Sequence, residues 1–119
     1  MNIEQFRNYC LAKKGVTECF PFDENTLVFK VLNKMFALTS LTSDEFRVNL
    51  KCDPEKAMEL REEYENIIPG YHMSKKHWNT VIVDQRIKDK IFIELVNHSY
   101  NLVVSKMTKK DKNILEKLE

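Results

Sequence analysis

Two glycines in 119 residues leave little material for a glycine-rich phosphate cradle. The chain contains no GxGxxG, no GxxxxGK[S/T] and no GxSxG, so dinucleotide folds, P-loop enzymes and nucleophile-elbow hydrolases are not indicated. Only three prolines and no low-complexity tract exclude collagen-like, linker-dominated and disordered classes. The three cysteines, Cys10, Cys19 and Cys52, are odd in number, and no two stand at metal-ligand spacing. Reduced, mostly packed thiols in a reducing cytosol are expected rather than a disulfide framework. No apolar run approaches the ~20 residues of a membrane span. The first ten residues, MNIEQFRNYC, lack a basic stretch followed by an apolar one, so no signal peptide is expected.

What remains is ordinary globular composition, 43% hydrophobic and 31% charged, enough at this length for one core without staples. A net charge of +1 does not by itself nominate nucleic acid, but its distribution is uneven. Residues 53–66 carry six acidic and two basic side chains, whereas residues 67–119 carry ten basic and six acidic ones. A mildly basic C-terminal half thus follows an acidic helix.

Apolar spacing at Ile3, Phe6, Cys10 and Leu11 predicts a first helix over 2–13, capped by Asn2 and stopped by Gly15. Thr17 to Phe22 reads as an edge strand, because Pro21 has no backbone donor. Residues 27–40 read as a hairpin turning at Leu32-Asn33-Lys34, with Asn33 suited to positive φ. From Arg47 to Cys52 the alternation is strict, with Val48, Leu50 and Cys52 facing one way and Arg47, Asn49 and Lys51 the other. Asp53-Pro54 opens a second helix whose buried side runs through Ala57, Leu60, Arg61 and Tyr64, with Arg61 lending its stem. After Pro69-Gly70, a strand over 79–84 leads to a last helix of about 86–106, capped by Asp84. Its stripe is Ile87, Ile91, Leu95, His98 and Leu102, flanked by Phe92, Val96 and Val103. The expected fold is therefore α+β, one domain over 1–107 with a polar tail over 108–119. A mainly antiparallel sheet packs against helices in the order α-β-β-β-β-α-β-α.

Two polar clusters stand out. Tyr71 to Asn79 packs Lys75, Lys76, His72, His77, Trp78 and Asn79 into nine residues. Lysines attract phosphates and aromatic rings stack on bases, although the same segment also suits a structural turn plugged by Trp78. The wet strand face Arg47, Asn49, Lys51, with Lys30 if its strand is adjacent, suits a phosphate backbone or ordinary cross-strand pairing. Catalysis and metal binding find less support. His72 and His77 lie in a loop, and His98 on the apolar stripe reads as a core histidine. HxxxH, CxxC and HExxH are all missing. Cys52 precedes a helix N-terminus that favours thiolate, but its inward alternation argues against exposure.

Several segments together resemble the MmcQ/YjbR family of small bacterial proteins. They are Gly15-Val16-Thr17-Glu18, Phe20-Pro21-Phe22, Thr26 to Val31, Lys34 to Leu38, Asn49-Leu50-Lys51-Cys52-Asp53-Pro54, Pro69-Gly70-Tyr71-His72-Met73, Lys76-His77-Trp78-Asn79-Thr80-Val81 and His98-Ser99-Tyr100. The resemblance spans about residues 2–107. Ser74 departs from the family, where Asn is frequent. The resemblance implies an α+β fold like those of frataxin-type and secretion-chaperone-like proteins, and DNA binding through a double-wing arrangement. It brings no enzymatic role and no cofactor. Placed on this chain, it lands on Asn49, Lys51, Lys75, Lys76, His77, Trp78 and Asn79, to which the wet strand face adds Arg47 as a candidate phosphate contact. The expectation is a non-enzymatic, cytoplasmic DNA-binding protein without membrane contact. A module that holds a peptide or protein partner is the alternative.

Overall fold

The computed structural model describes residues 1–70 and 73–118. Helix α1, Ile3–Leu11, starts in a capping box: Asn2 Oδ1 accepts from the Gln5 amide at 2.8 Å and Gln5 Oε1 accepts from the Asn2 amide at 3.0 Å. The chain then turns at Gly15, whose φ of +74° an L side chain rarely adopts. Six strands follow the order of the chain as β1 Val16–Cys19, β2 Thr26–Val31, β3 Lys34–Ser40, β4 Arg47–Lys51, β5 Ile67–Pro69 and β6 Trp78–Ile82. Helix α2, Pro54–Glu63, separates β4 from β5. Helices α3, Asp89–Ser105, and α4, Lys109–Lys117, close the chain.

All strand pairings are antiparallel and run β1-β2-β3-β4-β6-β5 across one sheet. This is the α+β arrangement that the strand clustering predicts, with two elements added. Strand β5 is three residues long, too short for an alternation to show, and its Pro69 is tolerated because β5 is an edge. Helix α4 occupies the segment read as a polar tail. Thr108 caps it by accepting the Asp111 amide at 3.1 Å, and Leu115 is buried in the main core. No helix of the described residues is long and apolar enough to cross a membrane. The radius of gyration, 13.8 Å, is close to the ~13.5 Å expected of a compact chain this long.

One sheet face carries Leu27, Phe29, Val31, Val48, Leu50 and Val81 against the helices. Phe6 of α1 sits at the centre, its ring 5.5 Å from Phe29, 5.7 Å from Phe46 and 5.7 Å from Phe92. The β2–β3 register slips between Phe29 and Lys30, so Phe36 is an extra residue in β3. The bulge turns Phe36 to the core beside Tyr100 and takes its carbonyl out of the ladder. Ser99 of α3 satisfies that carbonyl, donating to it at 2.5 Å while accepting the Lys51 amide at 2.9 Å. One hydroxyl thus joins β3 and β4 where their own pairing ends, beyond Ala37 and Leu50.

Three local expectations change. Helix α3 starts at Asp89, and Asp84 engages Arg86 instead, accepting its amide at 2.9 Å and its guanidinium at 2.7 Å. The buried line of α3 is Phe92, Leu95, Val96, Ser99 and Val103, displaced by one residue over most of its length from the expected stripe. His98 is half-buried on the flank of that line. Arg61 contributes its guanidinium as well as its stem.

Candidate nucleic-acid interface

Residues 74–77 form a turn held by hydrogen bonds from three directions. The Ser74 carbonyl accepts from the amides of His77 at 3.2 Å and Trp78 at 2.9 Å. Cys52, at the entry to α2, donates its amide to the His77 carbonyl at 2.8 Å. Arg61 of α2 donates through Nη2 to the Lys75 carbonyl and through Nε to Asn79 Oδ1, the latter at 2.7 Å. Asn79 Nδ2 in turn reaches the Ala57 carbonyl at 3.3 Å. With its carbonyls drawn inward, the turn presents Lys75, Lys76 and His77 as consecutive exposed side chains.

Gly70 makes the close approach possible. Its amide donates to the Trp78 carbonyl at 2.9 Å, and a Cβ at this position would stand 2.7 Å from the Trp78 Cβ and 3.0 Å from its carbonyl oxygen. Trp78 and Asn79 lie underneath, 7% and 3% exposed. They support the turn from the protein side and offer no stacking face or amide to solvent.

The remaining candidates divide along β4. Lys51 pairs in register with Trp78, is half-buried, and lines a groove of about 390 Å³ with His77, Trp78, Leu102 and Lys106. Asp53 is the acidic side chain in that lining, and its carboxylate already accepts the Lys56 amide as the α2 cap. Lys51, Lys75, Lys76 and His77 thus gather at one end of the sheet, joined by Lys106, which sequence reasoning missed because it ends a helix read as core. Arg47 lies four residues along β4, roughly 13 Å away at ordinary strand rise. Its guanidinium is paired with Glu45 at 2.7 Å. Asn49 sits between, its Oδ1 accepting the Thr80 hydroxyl at 2.5 Å. Lys30 is not a neighbour, because β3 separates β2 from β4.

Cys10, Cys52 and His98 are built into the fold. Burial pushes the Cys10 thiol up to about 12 and the Cys52 thiol up to about 11, holding both as neutral thiols at physiological pH. His98 accepts the Asp53 amide on Nε2 at 3.2 Å, and burial, aided by nearby Lys56, lowers its pKa, which favours the neutral ring that this bond needs. Among the described residues no three His, Cys, Asp or Glu side chains are grouped as metal ligands. His72 lies outside the described residues.

A six-stranded antiparallel sheet with helices on one face, and a braced basic turn at one end, defines a small α+β domain. The family model for YjbR matches residues 11–102, and the chain belongs to the YjbR (MmcQ/YjbR) family. It is 40% identical over 108 residues to the uncharacterized protein YbdF of Escherichia coli O157:H7, covering 91% of this chain and 88% of that one. It is 30% identical over 118 residues to the uncharacterized protein YjbR of Escherichia coli K12, covering 99% and 100%. Among solved structures, a Deinococcus radiodurans protein with a DUF419 domain, DR2400, superposes with a TM-score of 0.90 at 43% identity, covering 97% of this chain and 88% of that one. A Pseudomonas syringae protein superposes at 0.73 with 28% identity, covering 86% and 98%.

Proposed function

We propose that the chain is a non-enzymatic, cytoplasmic DNA-binding protein. Its phosphate contacts are Lys75, Lys76 and His77 of the turn, with Lys51 and Lys106 beside the groove. The observation that supports this reading is the placement of three consecutive exposed basic or titratable side chains on a turn whose backbone is braced by Arg61, Cys52 and Ser74. A braced turn loses little conformational freedom on binding, so its lysines approach phosphates as a fixed pair. Trp78 and Asn79 shape the site from below, and Arg47 and Asn49 stand apart from its phosphate-binding end. With a near-neutral chain, affinity comes from this local cluster and falls steeply with salt. Fluorescence anisotropy of labelled DNA against wild type and the Lys75→Ala/Lys76→Ala variant tests the proposal. The variant is expected to lose most binding, and equal binding by both proteins would refute it.

A further inference from the structure

The sheet face away from the helices is covered only in part. Val28, Leu38 and Trp78 form a second small apolar cluster there, flanked by Cys19, Met35 and Met73. Two connecting segments rise over this face. One joins β1 to β2 and carries Phe22; the other precedes β6 and carries Met73. Between them lies a cleft of about 380 Å³, floored by Leu38, Asn49 and Thr80. That volume falls in the ~300–1,000 Å³ range of small-ligand sites.

Its chemistry is specific. Phe22 is 62% exposed at the cleft wall, the most exposed large hydrophobic side chain of the described residues, and faces the thioether-bearing wall at Met73. The Phe22 wall is anchored rather than loose. The neighbouring Asp23 carboxylate accepts the amides of Asn25 at 2.8 Å and Thr26 at 2.7 Å, and the Asn25 carbonyl accepts the Leu41 amide at 2.8 Å. The two charged groups lining the cleft are both engaged, Asp23 by those amides and Arg47 by Glu45. The cleft is thus a near-neutral, aromatic-walled slot, while the exposed positive side chains of Lys75 and Lys76 lie two and three residues beyond Met73.

We infer that this cleft takes an unstacked nucleobase from single-stranded DNA, the base against Phe22 and Met73 and the flanking phosphates at Lys75 and Lys76. The inference rests on the DNA-binding reading and adds which form of DNA is held. A near-neutral, aromatic-walled cleft beside cationic side chains matches the alternation of base and phosphate in a single strand. In a duplex, the bases are paired and stacked and cannot enter.

The test is fluorescence anisotropy with an oligo(dT) of about twelve nucleotides, within the ~4–16 span of small single-strand sites. A duplex of equal length and free dTMP as competitor complete the probes. Wild type, Phe22→Ala and Lys75→Ala/Lys76→Ala are compared after thermal melts establish that each is folded. The expected result is tighter binding of oligo(dT) than of duplex. Phe22→Ala should lose roughly tenfold on oligo(dT), the scale of one base stack, and nothing on duplex. Equal or tighter duplex binding, or unchanged oligo(dT) binding by Phe22→Ala, overturns the inference. If the lysine variant still loses DNA in that case, the DNA-binding reading stands without it. Binding of dTMP as tight as that of oligo(dT), with the same Phe22 dependence, overturns the strand in favour of a free nucleotide. No binding of any DNA overturns both readings.

Discussion

The two faces of the sheet bury comparable residue types by different means. On the helix side, Phe6 meets Phe29 and Phe46 edge to face, Phe46 meets Phe92 edge to face, Phe6 and Phe92 pack tilted, and helices from both ends of the chain share one core. On the other side, Val28, Leu38 and Trp78 form a small cluster flanked by Cys19, Met35 and Met73, with no helix residue among them. Stability is concentrated on the first face. The second face is held by backbone bonds and by one arginine, and is therefore the one whose side chains can be spent on a ligand. The braced turn belongs to this second regime: its residues are positioned by Arg61, Cys52 and Gly70, and its lysines contribute nothing to the core.

Breaking the helix-side core has the largest expected effect. Phe92→Ala should lower unfolding stability by about 3–5 kcal/mol, read from the urea midpoint. A loss under 1 kcal/mol would mean that the ring cluster is not the centre of the fold. Next comes the junction between the faces. Ser99→Ala leaves both the Phe36 carbonyl and the Lys51 amide without their hydroxyl and should cost about 1–3 kcal/mol in the same titration. Gly70→Ala should cost about as much, because the added carbon meets the Trp78 backbone rather than a movable side-chain tip. It should also weaken DNA binding by displacing the turn that carries Lys75 and Lys76. On the exposed side, Lys75→Ala/Lys76→Ala should alter stability by less than about 0.5 kcal/mol.

The smallest effect is a pH dependence. The folded pKa of His98 lies below its ordinary 6.5, so the unfolded chain takes up the proton more readily. The contribution of His98 to stability is complete above pH 6.5. It is lost as the pH falls through the depressed folded value. Urea midpoints measured across this acid range should fall less in His98→Gln than in wild type, and identical curves would remove His98 from the account.

Much of this architecture was legible because local signals agreed. Asn2, Asp53 and Pro54 mark helix starts, Asn33 marks the hairpin, and the Arg47–Cys52 alternation assigns the two faces of β4 correctly. The misreadings share a cause, which is that long-range partners decide the role of a polar residue. Asn79 looks available for DNA in a list of side chains, yet Arg61 and Ala57, 18 and 22 residues upstream, enclose it. Ser99 has no role readable from its own segment, because the carbonyl it satisfies, at the Phe36 bulge, lies 63 residues away. The phase of α3 slipped because Ile87, although buried, belongs to the turn stabilised by Asp84 and Arg86 rather than to the helix. Phe22 was passed over as part of an edge strand, and only the strand order shows that its segment stands over an open sheet face.

The central claim is that the lysines of the braced turn hold DNA phosphates, and the salt dependence of binding tests it most directly. Anisotropy titrations of oligo(dT) at several salt concentrations give the slope of log affinity against log salt. Four lysine contacts, from Lys51, Lys75, Lys76 and Lys106, predict a slope of about −3 in wild type, reduced to about −1.5 in Lys75→Ala/Lys76→Ala. A slope near zero, or one that the double substitution leaves unchanged, would contradict the claim.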